Sequence, residues 1–392
     1  MNKKFKELIE FIVKFKDITA LGSATVLTNA IGGIFWLYMA TLLGTEQYGQ
    51  VSYLISIAII ASTISLVGMA NTIIVYGAKG VKLQSTVFLT GLISSSITSI
   101  ILFFVFVNDV GTSLYVIGYV TFTLITSDLV GGKKYLKYSK VLLCQKLLLV
   151  FLAVCLYHII GLDGVILGIA ISFLPFIYII SKTFKEIKID LHILRGKYKF
   201  VINSFLLDIS NASSGSLDKI IIAPMLGFAL LGNYQLGLQL MGVLTIIPGI
   251  FYQYILPQDA SGTSTKKMKK IMILISIVLA VLAIILSPIV IPPFFSEFTE
   301  TIEIIQIMGI SIISSTIIST YVSKFLGLTK SNIVICGTGV GLASLISLLL
   351  LFTPILGANG AALAVLISSI IHAAFFIVVD KLFTASNSIN NS

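Results

Sequence analysis

Charge is what this sequence most lacks. Of its 392 residues only 11% are Asp, Glu, Lys or Arg, while 57% are hydrophobic; soluble domains carry roughly 25% charge. So few charges cannot cover a water-facing surface, which excludes a soluble globular enzyme and makes lipid the main solvent. Cysteine is scarce as well. Cys144, Cys155 and Cys336 form no C-x-x-C, sit inside apolar segments and read as small core residues, so neither a disulfide framework nor a metal centre is expected. His158, His192 and His372 are dispersed and build no H-E-x-x-H. Gly131-Gly132-Lys133 lacks the spacing of a phosphate loop, and G-T-G-V-G at 337–341 lies in an apolar run where glycines serve helix packing. No catalytic residue and no cofactor is therefore expected. Residues 3–17 are too charged for the apolar region of a cleavable signal peptide.

What the sequence has instead is a series of apolar runs, each about 20 residues long, the length that crosses a bilayer as a helix. They lack strand-like alternation, which selects helices over a closed barrel. Twelve spans are predicted: 19–42, 49–75, 85–107, 112–131, 141–160, 164–181, 200–222, 233–256, 271–291, 302–323, 332–353 and 358–379. The least apolar is 200–222, interrupted by Asp208, Asp218 and Lys219. Ahead of the first span, residues 1–18 read as a basic interfacial helix with Phe5, Leu8, Ile9 and Ile12 on one face, or as a frayed basic tail.

The net charge of +10 is a topology signal. With the N-terminus inside, nearly every cation falls in an inner segment. The outer loops hold Glu46, Asp109, Asp163, Glu297 and Glu300 and no Lys or Arg. Only Lys146 and Lys219 fall inside spans. The positive-inside rule then predicts both termini on the cytoplasmic side of a multi-pass plasma or inner membrane protein. Cations spread over every inner loop form no folded basic domain, so a nucleic-acid partner is not expected. The predicted organisation is a six-span N-lobe (19–181), a cytoplasmic linker (182–199) with Phe184, Ile187, Leu191 and Leu194 on one face, a six-span C-lobe (200–380) and a cytoplasmic tail (381–392).

The two halves repeat. Leu43-Gly44 ends the first span and Gly49 opens the second; Leu226-Gly227 ends the seventh and Gly232 opens the eighth, 183 residues further on in both cases. Six spans per half is an even number, so the repeats share one orientation. The stretch LLGTEQYGQVSYLISIAIIASTISLVGMANTIIVYG resembles the N-terminal hallmark of the Wzx-type polysaccharide flippases, and LDKIIIAPMLGFALLGNYQLGLQLMGVLTIIPGI resembles its counterpart in the second half. These belong to the multidrug/oligosaccharidyl-lipid/polysaccharide export superfamily. The resemblance covers nearly the whole chain in layout, and its motifs are soft patterns of Gly, Tyr and apolar residues. It implies an all-α, MATE-like fold of two pseudo-symmetric six-helix lobes around a central cavity. It also implies a transporter rather than an enzyme, one that carries a polyprenyl-(pyro)phosphate-linked oligosaccharide from the cytoplasmic to the outer leaflet by alternating access. The implied partners are that lipid-linked substrate, membrane lipids and polysaccharide-assembly proteins. Lipid II flippases of the superfamily carry two further spans, which this chain does not show.

Each charge in a span costs at least ~2.5–3.5 kcal/mol on insertion scales and requires a reason. Ser204, Asp208, Asn211, Gly215 and Asp218 fall on one face of the seventh span, a polar stripe that cannot face acyl chains. Thr25, Asn29 and Gly32 form a milder stripe on the first. Asp208, Asp218 and Asp128 are the candidate ion-coupling or cavity carboxylates; Asp128 can instead pair with Lys133 or Lys146. Lys146, Lys219, Asn29, Asn211, Gln235 and Gln239 are the candidate substrate-binding residues, with Tyr234 and Tyr252 suited to sugar hydroxyls. Helix-to-helix hydrogen bonding competes with a cavity role at the Ser and Asn positions, and snorkelling competes at both lysines. A hydrated path removes most of the cost of bringing an anion into hydrocarbon. An inside-negative potential then favours outward movement by roughly 2.3 kcal/mol per charge per 100 mV. A cation-coupled drug or metabolite antiporter of the same superfamily is the competing reading.

Overall fold

A computed structural model describes the backbone of residues 3–179, 189–190 and 192–390, and the side chains of 22–179, 189–190 and 194–383. The amphipathic face expected on 1–18, most of the 182–199 linker and the end of the 381–392 tail lie outside the described side chains. The described residues are helical and contain no strand. The reason is elementary: in hydrocarbon a backbone amide finds no water, so every apolar run closes its own hydrogen bonds.

The helices, in order, are α1 (Lys3–Leu66), α2 (Met69–Ala78), α3 (Gln84–Ile101, continued by a π-helical Leu102–Val107), α4 (Val110–Gly131), α5 (Tyr135–Ile160) and α6 (Leu162–Ile171). They continue with α7 (Tyr198–Leu226), α8 (Phe228–Leu244), α9 (Ile246–Ala260), α10 (Lys266–Phe294), α11 (Thr301–Met308), α12 (Ser311–Gly327) and α13 (Ser331–Asn390). Among the described residues, seven helical stretches are long and apolar enough to cross a bilayer, or nine if each of two bent pairs counts as one. Two of the seven are double. Gly22–Leu66 has 45 residues and Ser331–Phe383 has 53, about 67 and 80 Å of helix for a core ~30 Å thick. Each contains one non-helical residue, Gly44 in α1 and Gly357 in α13, which divides it into two bilayer-length arms. With these arms counted separately, and with the more polar α7 included, the helices correspond to the twelve predicted spans.

Three features were not legible as spans. The predicted 49–75 helix breaks at Val67-Gly68, where Gly68 adopts φ 72°. Predicted 233–256 is the pair α8 and α9, bent by 48°, and 302–323 is the pair α11 and α12, bent by 41°. The cysteine expectation is corrected: Cys144 and Cys336 are exposed and Cys155 half-exposed. In a lipid-solvated protein an apolar residue gains little by turning inward, so the rule that cysteines are core residues fails here.

Contacts divide the chain into two compact units. One joins residues up to Trp36 with Leu54–Ala212; the other joins Leu37–Tyr53 with Ser213 to the C-terminus. The core of the first packs Ile73 of α2, Val87 and Phe88 of α3, and Val120, Leu124 and Ile125 of α4. The core of the second packs Ile222 of α7, Leu231 and Tyr234 of α8, Ile304 and Met308 of α11, and Ala361, Ala362 and Ala364 of α13. The alanines of the second core fit the rule that close backbone approach, rather than water exclusion, holds helices together in lipid. The buried hydroxyls of Ser52, Ser62 and Ser65 donate back to Tyr48, Ala58 and Ala61 carbonyls at 2.6–2.8 Å, so they add no unpaired group.

The internal repeat is written in the backbone. Gly44 (φ 69°, ψ −179°) and Gly227 (φ 84°, ψ 172°) share a conformation open essentially to glycine alone. Five residues on, Gly49 and Gly232 make a reciprocal contact within the second unit. A Cβ on Gly49 would strike the Phe228 carbonyl oxygen, and a Cβ on Gly232 would strike the Thr45 carbonyl oxygen. A second repeat escaped the sequence reading. Gly161 (φ 71°, ψ −143°) and Gly357 (φ 59°, ψ −138°) open I-x-G-x-x-G turns 196 residues apart. A Cβ on the second glycine of each turn, Gly164 or Gly360, would strike the carbonyl eight residues back, at Leu156 or Phe352.

In the second unit a polar knot joins α9, α10 and α12. Asp259 accepts from Thr265 Oγ1 at 2.5 Å and from Lys269 Nζ and Ser323 Oγ at 2.6 Å. Ser323→Ala is expected to cost about 1 kcal/mol, read as a lower thermal midpoint in detergent, with Ser319→Ala, an exposed hydroxyl bonded within its own helix, as the control.

Candidate functional site

In the first unit the site begins at the broken helix. With φ 72°, Gly68 turns α2 away from α1 and lets the start of α7 approach closely. A Cβ there would strike the Val201 carbonyl oxygen and lie 2.7 Å from the Phe205 nitrogen. One turn on, Asn71 Nδ2 donates to Asp208 Oδ1 at 2.9 Å. The second oxygen, Oδ2, is buried and accepts no hydrogen bond from any described residue. Tyr119 of α4 is near enough to feel the carboxylate charge. Asp208 is thus half-buried, held by one amide, with an oxygen to spare. Ser204, one turn earlier on the same face, is buried against Gly68.

Lys146 of α5 is the cation that lies within a predicted span of this unit. It is half-buried, and its Cε and Nζ lie 2.8 and 3.0 Å from where a Cβ on Gly32 would sit. The ammonium therefore occupies the notch left by the missing side chain, and it has no hydrogen-bond or ion-pair partner among the described residues. Its neighbour Gln145 is buried and donates to Ser172 Oγ at 3.0 Å. Asn29, three residues before Gly32, is exposed. Asp128 makes neither pairing expected for it. It takes a hydrogen bond from the Gln84 side chain and faces Lys134 and Lys137, because the positive-φ turn at Lys133 (φ 56°) brings the next two lysines round instead.

The second unit uses its charges on one another. Asp218 Oδ2 accepts from the Tyr234 hydroxyl at 2.7 Å, and Oδ1 accepts from the Lys219 backbone N–H at 2.9 Å. Lys219 Nζ lies 3.4 Å from Oδ1 and donates to the Gly215 carbonyl at 2.5 Å. Both side chains are buried, 6% and 10% exposed. Lys219 is therefore not a free cation, and Tyr234 serves the Asp218–Lys219 pair. Asn211 and Gly215 are exposed, so the polar stripe of α7 does not face one environment. Gln235, half-buried, faces the Tyr48 hydroxyl, and Gln239 is half-buried. Asn233 was missed: its Oδ1 accepts from both the backbone and the hydroxyl of Thr301, tying α8 to the start of α11. Asn71 was missed too. Its one signal was an amide three residues after a glycine inside an apolar run.

No protein-family model and no curated protein sequence matches this chain. Solved structures do. The lipid II flippase MurJ in an inward closed conformation superposes with a TM-score of 0.75 at 15% identity, over 92% of this chain and 87% of that one. The fold is that of MurJ and the MATE transporters. An inward-facing multidrug resistance MATE family transporter of the MOP superfamily gives 0.65 at 13% identity over 96% of this chain and all of that one. The Vibrio cholerae MATE transporter VcmN gives 0.58 at 15% over 94% and 98%. Identities this low establish architecture: a multi-pass, all-helical membrane protein. Within that architecture the described residues offer no cluster of three His, Cys, Asp or Glu able to hold a metal ion.

Proposed function

We propose that this protein is a flippase moving a polyprenyl-(pyro)phosphate-linked oligosaccharide from the cytoplasmic to the outer leaflet, its two lobes opening the head-group path alternately to each side. The observation that carries the proposal is the near full-length likeness to a structure whose own substrate is lipid-linked. Lys146 supports it as a half-buried cation without a partner, the kind of group that offsets the cost of a phosphate in low dielectric. Outward passage of an anion needs no nucleotide, since the membrane potential favours it. Asn29, Asn211, Gln235 and Gln239 remain candidates for sugar contacts. Lys219 is assigned instead to holding α7 together with Asp218.

A cation-coupled drug or metabolite antiporter is the second reading. The MATE neighbours favour it, as does Asp208, whose spare oxygen suits a proton or a small cation.

The test is the leaflet distribution of lipid-linked glycan in cells lacking the gene. Inner-leaflet build-up that wild type relieves, and that Lys146→Ala and Asp208→Ala relieve by less than about a tenth, supports the flippase. The loss expected at Lys146, ~2 kcal/mol, is that of one hydrogen bond to a charged group. An unchanged distribution together with Asp208-dependent drug efflux replaces it with the antiporter.

A further inference from the structure

The end of the first unit at which α2 stops and α3, α5 and α7 start gathers lysines that are far apart in the sequence. Tyr76, in the last turn of α2, is half-buried against the core of this unit. Lys79 Nζ lies 5.4 Å from the centre of its ring, and Lys197 Nζ, just ahead of α7, lies 5.0 Å from it. Phe200 meets the same ring edge-on at 5.4 Å. The two ammoniums therefore stand no further apart than the sum of their distances to the ring, which is of the order of the ~10 Å screening length at 0.1 M salt. Each is attracted by the ring, and each repels the other.

More cations come to the same end. Gly77 and Gly131 pack so closely that a Cβ on Gly77 would lie 3.9 Å from the Gly131 Cα, which sets the Lys133–Lys134 turn beside the end of α2. Gln84, two residues after Lys82, bonds Asp128, whose charge also faces Lys134 and Lys137. Asp190 is tied in by Thr86, whose hydroxyl accepts from the Asp190 N–H at 2.9 Å and donates to its carbonyl at 3.2 Å. Against these lysines stand two carboxylates, Asp128 and Asp190. Lys79, Lys82, Lys133, Lys134 and Lys137 are exposed and form no ion pair with a described residue, unlike Lys219, Lys269 and Lys324 of the second unit.

The neighbours of these lysines put them at head-group depth. Tyr178, where the sixth span ends, and Tyr198, where α7 starts, are exposed, and Leu136 and Ile189 stand exposed beside the cations. Tyrosine collects at the boundary between hydrocarbon and head groups. Exposed Leu and Ile next to lysines suit a lipid interface rather than open water or a nucleic acid. We infer that this end of the first unit docks anionic phospholipid head groups, anchored on the Lys79–Tyr76–Lys197 cluster. A zwitterionic head group brings a cation of its own and gains little here; an anionic one relieves the repulsion that the fold builds in. In the orientation that the cations predict, these are lipids of the cytoplasmic leaflet. The inference is independent of what the protein carries.

The experiment is native mass spectrometry of the full-length protein in mild detergent, with phosphatidylglycerol and phosphatidylcholine of identical acyl chains as probes. Phosphatidylglycerol is expected to bind more tightly, by a margin that shrinks as ammonium acetate is raised. Lys79→Gln combined with Lys197→Gln lowers its binding roughly twentyfold, about fivefold for each charge lost. Phosphatidylcholine binding stays the same, which also reports that the variant is folded. Lys140→Gln combined with Lys381→Gln removes as much charge from exposed lysines outside the cluster and lowers phosphatidylglycerol binding by less than about twofold, because screening isolates distant charges. Equal binding of the two lipids, or an equal loss in both double variants, overturns the inference. Release of bound phosphatidylglycerol by soluble pyrophosphate at constant ionic strength makes the cluster a site for free phosphates and overturns it too.

Discussion

Replacing Lys219 with methionine lowers stability by about 3–5 kcal/mol, the cost of leaving a buried charge without its partner. Asp218 is 6% exposed and its carboxylate leans on an ammonium that is itself bonded to Gly215. Methionine keeps the length of the side chain and removes the charge, so the loss is electrostatic rather than steric. The Tyr234 hydroxyl and one backbone N–H still hold Asp218, but neither supplies a positive charge. Adding Asp218→Asn to the methionine variant restores most of the stability, because a neutral amide no longer needs a counter-ion. Thermal unfolding in detergent reads both effects. A single variant as stable as wild type would mean that water reaches the pair. The double variant also carries a functional result: if it folds and transports, the pair is structural; if it folds and fails, one of the two charges acts on substrate.

Gly49→Val and Gly232→Val each abolish the native crossing of the two helical segments that carry these glycines. A Cβ at either position would overlap a backbone carbonyl oxygen, of Phe228 or of Thr45, and backbone cannot swing aside as a side chain can. Overpacking a fitted site costs typically 1–3 kcal/mol; here about 3 kcal/mol or more is expected for each. The two changes strike the same contact, so their combined cost falls short of the sum. Gly242→Val is the control, since nothing lies within 4 Å of a Cβ there. Expression level and thermal midpoint measure the difference. Equal behaviour of the three variants would show that the helices do not cross at the glycines.

Much of the fold was legible because its signals are local. A bilayer-length apolar run declares itself in one dimension, and a glycine recurring at a fixed offset marks a repeat without any knowledge of packing. The candidate site was legible only in part. Asp208 and Lys146 stand out as charges in apolar runs, yet Asn71, which holds the first, is an ordinary amide until Gly68 breaks the helix and turns it inward. Asp128 pairs with neither Lys133 nor Lys146, the two options its place in the sequence offered; the left-handed turn at Lys133 leaves Lys134 and Lys137 nearer its charge. The exposed cysteines show the same limit: hydrophobicity does not say which way to face when the solvent is oil.

The sequence by itself determined the class, the repeat and the positions at which charge would have to be explained, since each is a matter of composition and spacing along the chain. Only the tertiary structure decided that Asp218 and Lys219 neutralise one another, that Asp208 keeps an oxygen free and that Lys146 lies unpaired over Gly32. Two charges on one helix differ in fate according to what the neighbouring helix brings within 3 Å, and that is set by where glycines bend the backbone and let helices touch.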